Sequence, residues 1–163
     1  MTENNQMKPN TFVTHGKTRL VQGTITHPEA GNLRLVFVPC GKLGKPDTQL
    51  HAIINKRWRS VAAELKGWFS SNITFKMGNI NTTATQSDVW VVHALCFNEN
   101  NEVDEKALFS CVKKAADMCR SERASLHVST LSINTIPGLA DLLNTQLIEK
   151  GLSVYFYEEK ETV

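Results

Sequence analysis

The sequence predicts an α/β protein, a three-layer α/β/α sandwich around a mixed central sheet. Two runs that are apolar but for one residue each, 33–38 and 89–96, have the length of strands buried on both faces. Between the strands lie long segments whose apolar residues recur at helical spacing, as crossovers between parallel strands require. The order reads β-β-α-β-β-α-β-α-β with no internal repeat. A chain of 163 residues is long enough for one full core and short for two. Residues 17–163 are therefore expected to form a single domain behind a polar tail, 1–16, which lacks the apolar stretch of a secretory signal.

Residues 18–26 read as a first strand, and His27-Pro28-Glu29-Ala30-Gly31-Asn32 as the turn into the apolar strand 33–38. Leu50, Ile53, Ile54, Trp58, Val61, Leu65, Trp68 and Phe69 make one stripe, which predicts a single helix of about five turns lying on a sheet face. Residues 73–77 alternate like a short strand ending at Gly78, and the Thr/Asn-rich stretch 79–86 reads as a turn into strand 89–96. Asp104 is placed to cap the next helix, whose buried face is Leu108, Cys111, Val112, Ala115 and Cys119. Residues 126–133 return as a strand and break at 134–138. Leu139, Leu142, Leu143, Leu147 and Ile148 mark a third helix stopped by Gly151, and 152–157 closes the sheet.

Composition excludes several classes. No apolar run approaches a membrane span, and 41% hydrophobic with 21% charged residues is ordinary for a globular protein. Cys40, Cys96, Cys111 and Cys119 form no C-x-x-C pair, which points to reduced thiols in the cytoplasm. The five histidines lack the i, i+4 spacing of a helical metal site, so neither metal nor cofactor is expected. A net charge of +2 argues against a nucleic-acid partner, and the basic run Lys56-Arg57-Trp58-Arg59 reads as a solvated helix face.

Two loops leave the carboxyl ends of apolar strands and lead into helices, 40–47 and 134–138. Open α/β sheets bind ligands at that edge. Gly41, Gly44 and Gly138 allow a close backbone approach and helix-start N–H groups suit phosphate oxygens, which leaves two readings, a diphosphate held between the two loops or glycines that only make tight turns. Neither loop has a Walker or G-x-G-x-x-G pattern, which removes nucleotide triphosphate hydrolysis and nicotinamide redox chemistry.

From Arg19 to Glu158 the chain resembles the macro domains, a family that binds ADP-ribose and in some branches hydrolyses its derivatives. Gly23-Thr24-Ile25-Thr26 is similar to the family's Gly-Asp-Ile/Leu motif. Cys40-Gly41-Lys42-Leu43-Gly44 looks like the loop before its first long helix, especially in the terminal ADP-ribose protein glycohydrolase branch. Trp90-Val91-Val92-His93-Ala94-Leu95 and Val154-Tyr155-Phe156-Tyr157 resemble family strands, and Ile136-Pro137-Gly138-Leu139 its phosphate loop. Two departures stand out: Thr24 replaces the aspartate that holds the adenine amino group, and Lys45-Pro46-Asp47 replaces a glycine-rich triplet.

The resemblance implies a macro-like domain that binds ADP-ribose or a related phosphorylated nucleotide. Its ligand-binding residues would be Gly23, Thr24, Ile25, Cys40, Gly41, Lys42, Leu43, Gly44, Asn134, Thr135, Ile136, Pro137, Gly138 and Leu139. A weak ADP-ribose 1″-phosphatase or de-ADP-ribosylating hydrolase is the enzymatic form of this reading. No catalytic set matches the family, and His93 and Asp141 are the candidates for a base. The alternative is a non-catalytic interaction scaffold, working as a homo-oligomer, whose ligand pocket has decayed.

Overall fold

A computed structural model describes residues 18–29, 31–42, 49–71 and 73–159. Its elements are β1 (Thr18–Val21), β2 (Leu33–Gly41), α1 (Gln49–Arg57), α2 (Ser60–Ser71), β3 (Ile80–Gln86), β4 (Val89–Phe97), α3 (Glu105–Glu122), β5 (Ala124–Ser129), α4 (Thr130–Thr135), α5 (Leu139–Gln146), a 3-10 turn (Ile148–Lys150) and β6 (Val154–Tyr157). The six strands form one sheet in the order β1-β6-β5-β2-β4-β3. Every neighbouring pair is parallel except β3 with β4, so the sheet is mixed. The two apolar runs of the sequence, β2 and β4, lie side by side in its interior, with Val36 opposite Val91 and Phe37 opposite Val92.

Alternation along each strand sends side chains to two different layers. Leu35, Phe37, Val92, Ala94, Cys96, Leu126, Val128, Val154 and Phe156 join a core with α3 and α5. Val36, Val38, Val89, Val91 and Tyr157 join a second core with α1 and Val61 of α2, while Cys40 and Leu95 pack with Leu65, Trp68 and Phe75. Helices on both faces complete the predicted sandwich. Among the described residues no helix is long and apolar enough to cross a membrane.

Several local expectations are corrected. The predicted five-turn helix is two helices, because Val61 N–H bonds Trp58 O at 3.1 Å while Trp58 N–H bonds Ile54 O at 2.9 Å, and this tighter turn breaks the ladder. Leu50, Ile54, Trp58, Val61, Leu65 and Trp68 stay buried across the break, whereas Phe69 is 41% exposed. Residues 73–77 are not a strand. Phe75 instead sits edge-on to Trp68 and Phe69, with ring centroids 4.9 and 5.2 Å away, and Asn79 N–H closes a turn on Lys76 O.

Gly78 takes φ 93° in that turn, against Ser110 of α3, which a Cβ would meet at 3.2 Å. The Thr/Asn-rich stretch expected as a turn is β3, an edge strand whose threonines suit a pleated surface. β5 stops at Ser129, whose hydroxyl caps α4 by accepting from Leu131 N–H at 3.0 Å, so 130–133 is helix. The first strand ends at Val21 rather than 26, and His27 N–H turns back onto Thr24 O. Asp104 does cap α3, accepting from Ala107 N–H at 2.9 Å. Gly151, at φ 86°, ends the 3-10 turn, α5 having already ended at Gln146.

Candidate functional site

The parallel strands send their carboxyl ends to one edge of the sheet, and there β2, β4 and β5 finish at Gly41, Phe97 and Ser129. A register shift at Gly41 sets it against Phe97, and Lys42 N–H donates to Phe97 O at 2.8 Å. The turn after β4 swings Asn101 to the same place. Asn98 Oδ1 accepts from Asn100 and Glu102 N–H groups, at 2.9 and 3.0 Å, and holds that turn with Asn101 at φ 60°.

These ends enclose a cleft of about 390 Å³. Pro39, Cys40 and Gly41 line it from β2, Gln49, Leu50 and His51 from α1, Phe97 and Asn101 from β4 and its turn, and Leu131, Ser132, Thr135 and Ile136 from α4 and the residue after it. No carboxylate, lysine or arginine is among these lining residues. The walls offer hydroxyl and amide groups, which can donate to or accept from a bound polar molecule without imposing a charge.

His51 reaches across to Pro39 O, 2.8 Å from its Nε2. A carbonyl only accepts, so Nε2 carries the hydrogen of this contact. Behind it His93 of β4 stacks at 5.8 Å between centroids and 10° between planes. His93 is fully buried, and neither of its ring nitrogens has a hydrogen-bond partner among the described residues. Burial, reinforced by His51, lowers its pKa to about 3, so the ring is neutral at any physiological pH. Burial also pushes the Cys40 thiol well above its ordinary value, which keeps it protonated and a poor nucleophile.

The structure brings Cys40, Gly41, Thr135 and Ile136, of the residues expected to bind, to the cleft. Asn134, Pro137 and Gly138 are exposed beyond it, Leu139 is buried in the α3 core, and Lys42 is exposed at the end of β2. Leu43 and Gly44 lie outside the described residues. Of the two candidate bases, His93 stands behind His51 rather than on the cleft wall, and Asp141 is an exposed residue in the first turn of α5, a favourable place for any carboxylate. Sequence reading missed Gln49, His51, Asn101 and Ser132. Ser129 followed by Ser132 was the available sign that a helix start, not a continuing strand, lay there.

Gly23, Thr24 and Ile25 sit in the loop after β1, against the last described residues of the chain. Ile25 N–H donates to Glu159 Oε2 at 2.7 Å, Thr24 and Thr26 hydroxyls lie 2.8 Å apart, and Gln22 Nε2 donates to Glu158 Oε1 at 2.6 Å. Partial burial raises the Glu159 pKa, although the Ile25 N–H and a hydrogen bond with Thr24 oppose it. Thus a carboxylate stands beside Thr24 after all, contributed by the segment following β6.

The described chain is an α/β/α sandwich with a cleft at the carboxyl edge of its strands, the edge at which open α/β sheets bind ligands. No family model and no curated protein matches the sequence. Solved structures match the fold. A macrodomain protein from Streptomyces coelicolor superposes with a TM-score of 0.81 at 19% identity, over 88% of this chain and 100% of that one. The macrodomain of Thermus aquaticus DarG gives 0.69 at 12% identity, over 88% and 99% of the two chains. Thermosipho africanus DarTG, solved in complex with ADP-ribose, gives 0.67 at 11% identity, over 94% of this chain and 45% of that one. The protein has the macrodomain fold.

Proposed function

We propose that the protein binds ADP-ribose or a related phosphorylated nucleotide in the carboxyl-edge cleft. The observation that carries this reading is the cleft itself, about 390 Å³, into which Gln49, His51, Asn101, Ser132 and Thr135 bring hydrogen-bonding groups, with no carboxylate among its described lining residues. The DarTG structure, 45% of whose chain matches this fold, was solved in complex with ADP-ribose, which supports the choice of ligand. An unfilled cleft with hydrogen-bonding side chains on its walls also favours binding over the scaffold with a decayed pocket, for which a filled cleft would be expected. The four described cysteines are free and buried, which fits the reducing conditions of the cytoplasm.

Catalysis on this reading is slow. A hydrolytic step needs a base within reach of the reacting centre. Among the lining residues His51 and Cys40 are the ones with a titratable side chain of suitable type, and burial holds Cys40 protonated. Turnover of ADP-ribose 1″-phosphate or of an ADP-ribosylated protein should stay below about 1 per second. Titration calorimetry with ADP-ribose, ADP and AMP tests the binding. Heat for ADP-ribose that weakens as the ribose and then a phosphate are removed is the expected result. Absence of heat at about 1 mM ligand, together with a stable oligomer in solution, would instead establish the scaffold.

A further inference from the structure

A second groove, of about 510 Å³, runs beside the cleft between Thr26 and the outer face of α1. Gln49, Ala52, Ile53 and Lys56 line it at i, i+3, i+4 and i+7, one strip of helix turned away from buried Leu50 and Ile54, and Arg57 follows. Gln49 lines both spaces, so they adjoin. At about 1.5 Å rise per residue, Lys56 lies about 10 Å along the helix from Gln49, a span on the scale of one nucleoside.

Some cations elsewhere on the surface are neutralised by carboxylates. On α3, Lys113 and Arg120 both pair with Asp117, Arg34 pairs with Asp88, and Arg19 with Glu29. Lys56 and Arg57 are exposed and have no carboxylate partner among the described residues. Arg57 lies 5.3 Å over the buried Trp58 ring, a contact that positions the guanidinium without neutralising it. The carboxylate of Glu159, in the segment after β6, is engaged by Ile25 N–H and Thr24. An apolar floor ending in two unneutralised cations suits a nucleoside followed by an anion.

We propose that this groove is a phosphate subsite extending the cleft, so that the ligand the protein selects carries a further phosphate at its nucleoside end, held by Lys56 and Arg57. The proposal rests on the reading of the cleft as a nucleotide site. The phosphate has two possible sources, a monoester on the adenosine ribose or the phosphodiester of a nucleic acid strand.

Calorimetry with ADP-ribose and with ADP-ribose 2′-phosphate, and anisotropy with a labelled short single-stranded oligonucleotide, test it on the full chain and on the double variant K56A/R57A. The native protein is expected to bind the 2′-phosphate form about tenfold more tightly than ADP-ribose. That preference should vanish in K56A/R57A, with ADP-ribose affinity unchanged, and shrink as salt rises from about 50 to about 200 mM. Oligonucleotide binding that K56A/R57A abolishes would support the subsite with a strand as its source, whatever ADP-ribose does. Equal affinity for the two small ligands with no oligonucleotide binding overturns the subsite and leaves the cleft reading standing. If none of the three binds, both fall.

Discussion

The two faces of the sheet are made of different chemistry although they alternate along the same strands. Toward α3 and α5, Leu35, Phe37, Val92, Ala94, Leu126, Val128 and Val154 form an apolar layer with no polar side chain among its buried members. Toward α1, the strands interleave His93, His127, Ser129 and Tyr157 with Val36, Val38 and Val91, and α1 adds His51. The apolar face supplies unconditional hydrophobic stabilisation. The polar face depends on hydrogen bonds and protonation states, and the cleft opens there.

Within the polar face the two strand histidines differ again. His127 is embedded in a chain of contacts: Glu29 N–H donates to Tyr157 Oη at 2.8 Å, Tyr157 Oη lies 2.8 Å from His127 Nδ1, and His127 Nε2 lies 2.7 Å from Ser125 Oγ. Because Tyr157 Oη accepts from Glu29, it can donate to Nδ1, leaving Nε2–H to donate to Ser125. Tyr155 stacks on the same ring at 4.7 Å. His93 has no such partners on either nitrogen among the described residues. The same residue type, buried in the same layer, is a satisfied strut in β5 and an unsatisfied polar group in β4, two strands away.

The largest test of the contrast is acid. Burial lowers both His93 and His127 from the ordinary 6.5 to about 3, with His51 adding to the shift at His93 and Arg34 at His127. Below 6.5 the unfolded chain binds protons that the folded one refuses, so stability is complete above that pH and falls as pH drops toward 3. Each histidine contributes on the order of 1.4 kcal/mol per pH unit in that window, so about 4 kcal/mol is lost by pH 5. Urea midpoints between pH 8 and about pH 4.5 measure this, and a flat profile would show that the rings are solvated.

Phe37→Ala attacks the apolar face. It should cost about 3–5 kcal/mol at every pH and leave the acid slope unchanged, as read from urea denaturation at pH 7.5 and about pH 5. A smaller, opposed pair separates the two histidines. His127→Leu strands the Tyr157 and Ser125 hydroxyls and is expected to destabilise by about 1–3 kcal/mol at neutral pH. His93→Leu removes a group with no partners and should be neutral or stabilising by up to about 1 kcal/mol, while removing one proton from the acid slope.

The smallest change falls on the cleft. Asn101→Gly keeps the left-handed backbone and deletes a lining side chain, so the melting temperature should hold within about 2 °C while ADP-ribose affinity drops about threefold to tenfold by calorimetry.

The α/β/α layering was legible because it is written in periodicity: β2, β4 and α3 carry their patterns in consecutive residues. What failed was tertiary. The stripe from Leu50 to Trp68 is continuous through the break at Trp58, so no local residue announces two helices. β3 looked like a turn because an edge strand tolerates threonine and asparagine, and 73–77 looked like a strand because Phe75 is buried by its neighbours rather than by a ladder. The cleft was half legible. Cys40 and Gly41 end an apolar strand, a recognisable place for a ligand, whereas Gln49, Asn101 and Ser132 meet only after three separate elements have been folded onto one edge.

The pairing of β1 with β6 has a kinetic corollary. The first strand of the sheet has no partner until the last has been made, since Thr18–Val21 aligns residue by residue with Val154–Tyr157. During synthesis β2, β4 and β5 can assemble with α3 while β1 waits, and the loop from Gln22 to Thr26 waits with it because its anchors are Glu158 and Glu159. Contacts this distant in sequence are slow to close. The groove beside Thr26 is therefore completed late, and a chain released before residue 154 would lack the anchors of that wall together with the Val154, Phe156 and Tyr157 side chains that complete the two cores.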